Sequence, residues 1–193
     1  MITASDPIDL FAGEGEVRAA CRAKDWSATP LGPESSWSPA LRSSLLHVLW
    51  SAFPNVVLWG PGLVQLFNEA YLDLIGGDGL AALGCPPREA STHGSVGSAP
   101  LFQRVFAGET ISREGAAFPV TRSGRTEQLY LTLSYAPIHD EHAMVAGVLV
   151  TVFEAEAELA VAGRPGHHDI PPRLSASGRL AEHRGMSPTP FPT

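Results

Sequence analysis

The chain has 193 residues, of which 44% are hydrophobic, and this is enough apolar material for one domain with extensions. The net charge is −7, and Lys and Arg are scattered, which excludes a basic stripe for nucleic acid or for an anionic membrane surface. The two cysteines, Cys21 and Cys85, lack CxxC spacing, and no apolar run reaches the roughly 18 residues of a spanning helix, so we expect a cytoplasmic protein without a membrane anchor.

Residues 1–54 are predicted to form a helical extension. The mixture of small, charged and apolar residues from Gly13 to Lys24 favours a short helix. A second helix is predicted to begin with Ser38 as its N-cap and Pro39 in its first turn, because Ser and Pro are favoured there. The apolar stripe of this helix contains Leu41, Leu45 and Leu49. Because the stripe exceeds what one small sheet has to cover, we expect these helices to pair two copies of the chain in a homodimer.

Residues 55–154 are predicted to form the main domain, which opens with a hairpin and a helix. Asn55 to Trp59 and Leu63 to Phe67 are rich in β-branched, aromatic and apolar residues, and a Gly-Pro-Gly turn separates them. Asn68 has the residue type of a helix N-cap, and the apolar stripe that follows it ends at Gly76. The order is therefore strand, turn, strand and short helix.

The middle of this domain is predicted to be helical. Asp78 to Gly84 is a candidate short helix, whereas Ala90 to Ala99 lacks apolar periodicity and is predicted to be a loop. Pro100 has the residue type favoured in a first helical turn, and apolar residues recur at helical spacing until Gly108. These helices fall between the second and third strands.

Three strands are predicted to complete the domain, at Ile111 to Val120, Gln128 to Tyr135 and Met144 to Phe153. In the second of them, leucines alternate with polar and aromatic residues, so we expect the two sets on opposite faces. The leucines are Leu129, Leu131 and Leu133, and the other set is Tyr130, Thr132 and Ser134. The predicted fold class is therefore α+β, with a five-stranded antiparallel sheet and helices inserted after strand two.

Residues 155–193 are predicted to form a short helix remnant and a disordered tail. The alternating Glu and Ala residues at the start of this segment favour helix, and the glycine and proline that follow end it. Gly163 to Thr193 has few large apolar residues, so it lacks the surface that would offset the entropy cost of ordering.

Several blocks of sequence, taken in order, are similar to one family. The blocks are Asp25 to Pro33, Phe53-Pro54, Leu58 to Pro61, Phe67 to Tyr71, Ala82 to Gly84, Phe106 to Glu109, Ser134 to Ile138 and Gly147 to Thr151. Over roughly residues 13 to 154, the chain resembles the PAS sensor domains at the N-termini of bacterial sensor histidine kinases. The resemblance implies a sheet and covering helices that enclose a sensing pocket. It also implies a non-catalytic role in a two-component system, with a histidine kinase as partner and a small ligand or a protein as signal.

Residues on the predicted strands and helices are candidates to line this pocket. The predicted pocket residues are Trp59, Phe67, Asn68, Tyr71, Phe106 and Tyr135, and Phe102 and Tyr130 are further aromatic candidates. We expect a small apolar or aromatic ligand that is oriented by Asn68 or Tyr135. The alternative is that each aromatic side chain only fills the core.

Two residues raise the question of a cofactor. His93 has a side chain able to ligate haem iron, but it lies among Ser, Thr and Gly in the predicted loop. Cys85 stands in Gly-Cys-Pro-Pro, whereas the light-sensing relatives of PAS domains carry a flavin-reactive cysteine in an Asn-Cys-Arg motif on a helix. A haem- or flavin-carrying receptor for gas, redox state or light is therefore an alternative, and we favour no cofactor.

The sequence signals for catalysis and for metal binding are weaker than those for a ligand pocket. Ser134, His139 and Asp140 have the residue types of a nucleophile triad, but the sequence lacks a Gly-x-Ser-x-Gly elbow, which disfavours a small hydrolase. His139 and His142 flank two acidic residues without further ligand types nearby, and we predict no metal site. The sequence therefore predicts a sensory module with no catalytic residues.

Overall fold

The computed structural model describes residues 9–76, 79–87, 97–122 and 125–154. The helices are α1 (Glu16–Ala23), α2 (Pro39–Leu49), α3 (Glu69–Ile75) and α4 (Ala99–Phe106), and short 3₁₀ turns lie at Trp26–Ala28, Glu34–Ser36 and Gly79–Ala82. The strands are β1 (Asn55–Trp59), β2 (Val64–Phe67), β3 (Ile111–Arg122), β4 (Arg125–His139) and β5 (Val145–Glu154). No helix within these described ranges is long and apolar enough to cross a bilayer.

The helix starts follow from local capping. The Ser38 hydroxyl accepts the N–H of Leu41 at 3.2 Å, and Pro39 occupies the first turn of α2. Asn68 caps α3 in the same way, since its side-chain oxygen accepts the N–H of Tyr71 at 3.0 Å. These predicted helix starts are confirmed. Most of the predicted loop (residues 90–96 of 90–99) and all of the predicted helix remnant and tail (residues 155–193) lie outside the described residues.

The five strands form one antiparallel sheet with the order β2-β1-β5-β4-β3. The opening hairpin pairs Val56 with Phe67, and β1 then pairs with the last strand, Val56 opposite Val150. The predicted single sheet and α+β class are therefore confirmed. β4 is longer than its sequence pattern predicts, because it hydrogen-bonds to neighbours on both sides, which extends it from Arg125 to His139.

The two faces of the sheet carry different layers. We call inner the face that contains Val56, Phe67, Tyr135 and Val150, which the strand register brings to the same side. Helices α3 and α4 pack on this face. Leu131 and Leu133 also lie there and are buried, whereas Tyr130 is 40% exposed, so the predicted alternation in β4 is confirmed.

Helix α2 packs against β1 and β2 and covers the outer face of these two strands. The outer-face residues Val57 and Leu66 are fully buried as a result. The leucine stripe of α2 is also buried, since Leu41, Leu45 and Leu49 are all less than 7% exposed. The prediction that this stripe pairs two copies is therefore wrong, because the protein's own sheet already covers the leucines.

The N-terminal extension shares one hydrophobic core with the sheet. The Glu69 carboxylate accepts the N–H groups of Val17 and Arg18 at 2.9 and 3.3 Å, so a residue of α3 caps α1. The buried guanidinium of Arg18 donates to the carbonyl oxygens of Ala12 and Leu49. These contacts fasten α1 to the end of α2 and to the start of α3.

Candidate functional site

Aromatic side chains from four elements meet between the inner face and its helices. Phe67 at the end of β2 lies 5.4 Å from the ring of Tyr71 in α3, measured between ring centroids. Phe102 of α4 lies 6.4 Å from the ring of Tyr135 in β4, in an edge-on arrangement. All four side chains are buried. We call these four side chains, which lie between the inner face and the helices, the aromatic layer.

The Tyr135 hydroxyl is hydrogen-bonded to another side chain of the protein. It accepts a hydrogen bond from the guanidinium of Arg113, a β3 residue that lies opposite Leu133 in the sheet. Burial raises the pKa of Tyr135 to about 12, although the positive charge of Arg113 opposes the shift. The phenol is therefore protonated at neutral pH, and its acceptor oxygen is already bonded.

The Tyr71 hydroxyl differs from that of Tyr135. Tyr71 is only 6% exposed, and the structure gives its hydroxyl no hydrogen-bond partner among the residues that it describes. Burial, together with the neighbouring Tyr135, raises the pKa of Tyr71. Tyr71 therefore presents a protonated hydroxyl that no described residue bonds, and native proteins leave few buried polar groups in that state.

Asn68 was predicted to orient a ligand, but its amide is fully used by the backbone. Its oxygen accepts the N–H groups of Asn55 and Tyr71 at 3.1 and 3.0 Å. Its nitrogen donates to the carbonyl oxygens of Ser51 and Phe53 at 3.0 and 2.8 Å. A side-chain amide offers two donors and two acceptor positions, and all four are filled. Asn68 is therefore a structural bridge, and it has no donor or acceptor left for a ligand.

Trp59 was predicted to share the pocket, but the register places it on the outer face. It lies three residues after Val56, and side chains alternate along a strand. Its indole packs over Gly147, where an added Cβ would come within 2.9 Å of the ring. Phe106, in α4, is half-buried at the edge of the core. Of the predicted set, Phe67, Tyr71 and Tyr135 come together.

Arg113 is a residue of the site that the sequence did not indicate. Its role depends on the pairing of β3 with β4, and the register shifts between Arg113 and Ala116. A charged residue near the start of a strand has the same sequence signature whether it faces solvent or reaches a buried hydroxyl. No local pattern distinguishes the two cases.

The two cofactor candidates do not gain support. The carbonyl oxygen of Cys85 accepts the N–H of Gln65 at 3.1 Å, so Cys85 runs along the open edge of β2. Cys85 is therefore not on a helix above the aromatic layer, where a flavin-reactive cysteine would lie. His93 lies outside the described residues.

The residues with catalytic types have structural roles or lie on the surface. One Asp140 oxygen accepts the N–H groups of Met144 and His142 at 2.9 and 2.8 Å, and these bonds lower the pKa of its carboxyl. Asp140 thus shapes the turn between β4 and β5. His139 and His142 are exposed. Across the described ranges, no three His, Cys, Asp or Glu side chains are grouped as metal ligands would be.

Comparisons with known proteins leave the function open. No family model matches the chain, and no curated protein matches it. A solved light-oxygen-voltage domain studied with a flavin analogue is 15% identical, with 62% of this chain and 90% of that chain covered and a TM-score of 0.45. The PAS domain of Bordetella pertussis BvgS is 17% identical, with coverage of 63% and 91% and a TM-score of 0.41. The PAS domain of nitrogen regulation protein NR(II) from Vibrio parahaemolyticus is 20% identical, with coverage of 62% and 100% and a TM-score of 0.42.

The topology itself identifies the class of fold. The strand order β2-β1-β5-β4-β3, the antiparallel pairing and the helices between β2 and β3 together define a PAS fold. The chain adds α1 and α2 before that unit and packs them into the same core. A fold of this kind does not by itself specify a function.

Proposed function

We propose that this chain is a non-catalytic sensory module of signal transduction, which binds a small ligand in the aromatic layer and passes the change to a protein partner. The observation that carries the proposal is the buried hydroxyl of Tyr71 in the aromatic layer, which has no hydrogen-bond partner among the described residues. Small-molecule sites combine apolar and aromatic walls with a few convergent polar groups. Phe67 and Phe102 supply such walls here.

A hydrogen-bonded route connects the aromatic layer to the ends of the sheet. The backbone N–H of Tyr71 is bound by Asn68, and Asn68 also holds the carbonyl oxygen of Phe53. The same Asn68 oxygen accepts the backbone N–H of Asn55. The side-chain oxygen of Asn55 in turn accepts a hydrogen bond from the Thr151 hydroxyl at 2.7 Å. A movement of Tyr71 would therefore act directly on the bonds that hold the start of β1 and the end of β5.

The route ends at an exposed aromatic pair. Phe53 and Phe153 are 58% and 41% exposed, and their ring centroids are 5.6 Å apart. We define this pair as the junction patch, because it lies where the chain enters β1 and leaves β5. Exposed aromatic patches commonly mark interaction sites. We propose that a second copy of the chain packs on the junction patch, and that a histidine kinase in a bacterial two-component pathway receives the signal.

The oligomeric state tests the output surface. Sedimentation of the chain should show a dimer at high micromolar concentration, and the double variant Phe53→Ser/Phe153→Ser should be monomeric. Met144→Ser is the matched control, because Met144 is 66% exposed but lies in the turn before β5. A wild-type monomer at that concentration would remove the homodimer and leave a different partner for the junction patch.

The sensory proposal is separated from catalysis and from a resident cofactor by two measurements. The purified chain should have no visible absorption band, and a haem or flavin spectrum would replace the proposal with a cofactor-carrying receptor. It should also hydrolyse neither esters nor phosphates. Hydrolysis that Ser134→Ala or His139→Ala abolishes would establish an enzyme instead.

A further inference from the structure

The hydroxyl of Tyr71 differs from the other buried aromatic polar groups in the described part of the chain. The indole nitrogens of Trp26 and Trp37 donate to the carbonyl oxygens of Cys21 and Gly32, at 2.9 and 3.0 Å. The Tyr135 hydroxyl is bonded by Arg113. Among the described residues, the Tyr71 hydroxyl has no such partner. A buried hydroxyl that lacks a hydrogen bond loses its contacts with water and gains nothing in return, so its presence calls for an occupant.

The surroundings of Tyr71 restrict the chemistry of that occupant. Phe67 places a hydrocarbon ring against Tyr71, and the ionisable group that acts on Tyr71 is another phenol, Tyr135, on which Phe102 packs. Arg113 is exposed, and its guanidinium bonds the hydroxyl of Tyr135. An anion beside Tyr71 would lose its hydration, and no described cation contacts the Tyr71 side chain to compensate. An uncharged molecule avoids this penalty.

We infer that the Tyr71 hydroxyl donates a hydrogen bond to a small, uncharged ligand that has an apolar body and one carbonyl or ether oxygen. The apolar body packs against Phe67 and Phe102, and the oxygen faces the phenol. The inference rests on the proposed sensory function, because it names the class of ligand for the same site. It assigns to Tyr71 the polar contact that the sequence had assigned to Asn68 or Tyr135.

Two probes of nearly the same shape test the hydrogen bond. Acetophenone carries a carbonyl oxygen beside its ring, and cumene has a methyl group in place of that oxygen. The affinities of both probes are measured by calorimetry or by ligand-detected NMR for the wild-type chain and for Tyr71→Phe. The ratio of the two affinities cancels the difference in ring burial, so its change between the two proteins reports the hydrogen bond.

The expected result is a roughly 2- to 12-fold loss of the acetophenone preference in Tyr71→Phe, which is the usual range for one hydrogen bond. Tyr130→Phe should leave the ratio unchanged, because Tyr130 is 40% exposed on the outer face. Benzoate, which has similar size and a negative charge, should bind to neither protein. Melting curves of both variants check that the fold is retained.

Three other outcomes would contradict the ligand inference, and one of them would also contradict ligand binding in the proposed function. If both probes bind and the ratio is the same in Tyr71→Phe, the inference is wrong, and the sensory site stands with another orienting group. If benzoate binds more tightly than acetophenone, the ligand class is anionic and the inference is again wrong. If no probe binds and no small molecule accompanies the purified chain in native mass spectrometry, both the inference and the ligand-binding part of the proposed function fail.

Discussion

Replacement of Asn68 by alanine should destabilise the protein strongly. The substitution removes four hydrogen bonds, from Asn55 N and Tyr71 N to the amide oxygen and from the amide nitrogen to the carbonyls of Ser51 and Phe53. Each bond contributes about 0.5–1.5 kcal/mol, and the two buried N–H groups lose their partners entirely. We therefore expect a loss of about 3–5 kcal/mol, a large part of the ~5–15 kcal/mol that stabilises a typical domain.

Urea denaturation followed by circular dichroism measures this loss, with two variants for comparison. Ser98→Ala is the matched control, because Ser98 precedes α4 as its N-cap but makes no side-chain capping bond, and it should cost less than about 0.5 kcal/mol. Asn68→Ser keeps an N-cap acceptor for the Tyr71 N–H and loses the two donated bonds, so its stability should fall between the wild type and Asn68→Ala. A loss below about 1 kcal/mol for Asn68→Ala would refute the bridge and the route through it.

Three further predictions concern the core and the buried titratable groups. Leu131→Ala should cost about 2–5 kcal/mol in the same denaturation assay, because Leu131 is buried on the inner face, and a much smaller cost would place it at the surface. Tyr71→Phe should leave the free energy of unfolding of the unliganded chain unchanged or slightly higher. Tyr135→Phe should lower it by about 0.5–1.5 kcal/mol, because the bond to Arg113 is lost. Equal losses in the two variants would mean that both hydroxyls are bonded. Burial raises the pKa of the Cys21 thiol to about 12, so unfolding above pH ~9 releases a proton from this thiol. The melting temperature should therefore fall as the pH rises above ~9. A Cys21→Ala chain with the same pH dependence would contradict this explanation.

Local physical chemistry made much of this fold predictable from the sequence. Helix caps are determined by a few neighbouring residues, and Ser38 and Asn68 cap α2 and α3 as their types indicate. The alternation in β4 predicts which leucines are buried, because the period of a strand is two whatever its neighbours are. The hairpin at β1 and β2 is equally local, since a Gly-Pro-Gly turn separates two apolar runs.

The site depended on partners that are distant in the sequence. Trp59 and Phe67 are equally aromatic, and only the pairing of β1 with β2 puts them on opposite faces. The leucine stripe of α2 has the same pattern whether a second copy or the chain's own sheet covers it, and the packing of α2 on β1 and β2 decided between them. The sequence by itself determined that Asn68 begins a helix, because capping is a contact over three residues. Only the tertiary structure decided that all four hydrogen-bonding positions of the Asn68 amide are filled, and that no described residue bonds the Tyr71 hydroxyl. The reason is that the partners of a polar group are whichever groups the whole fold brings within reach.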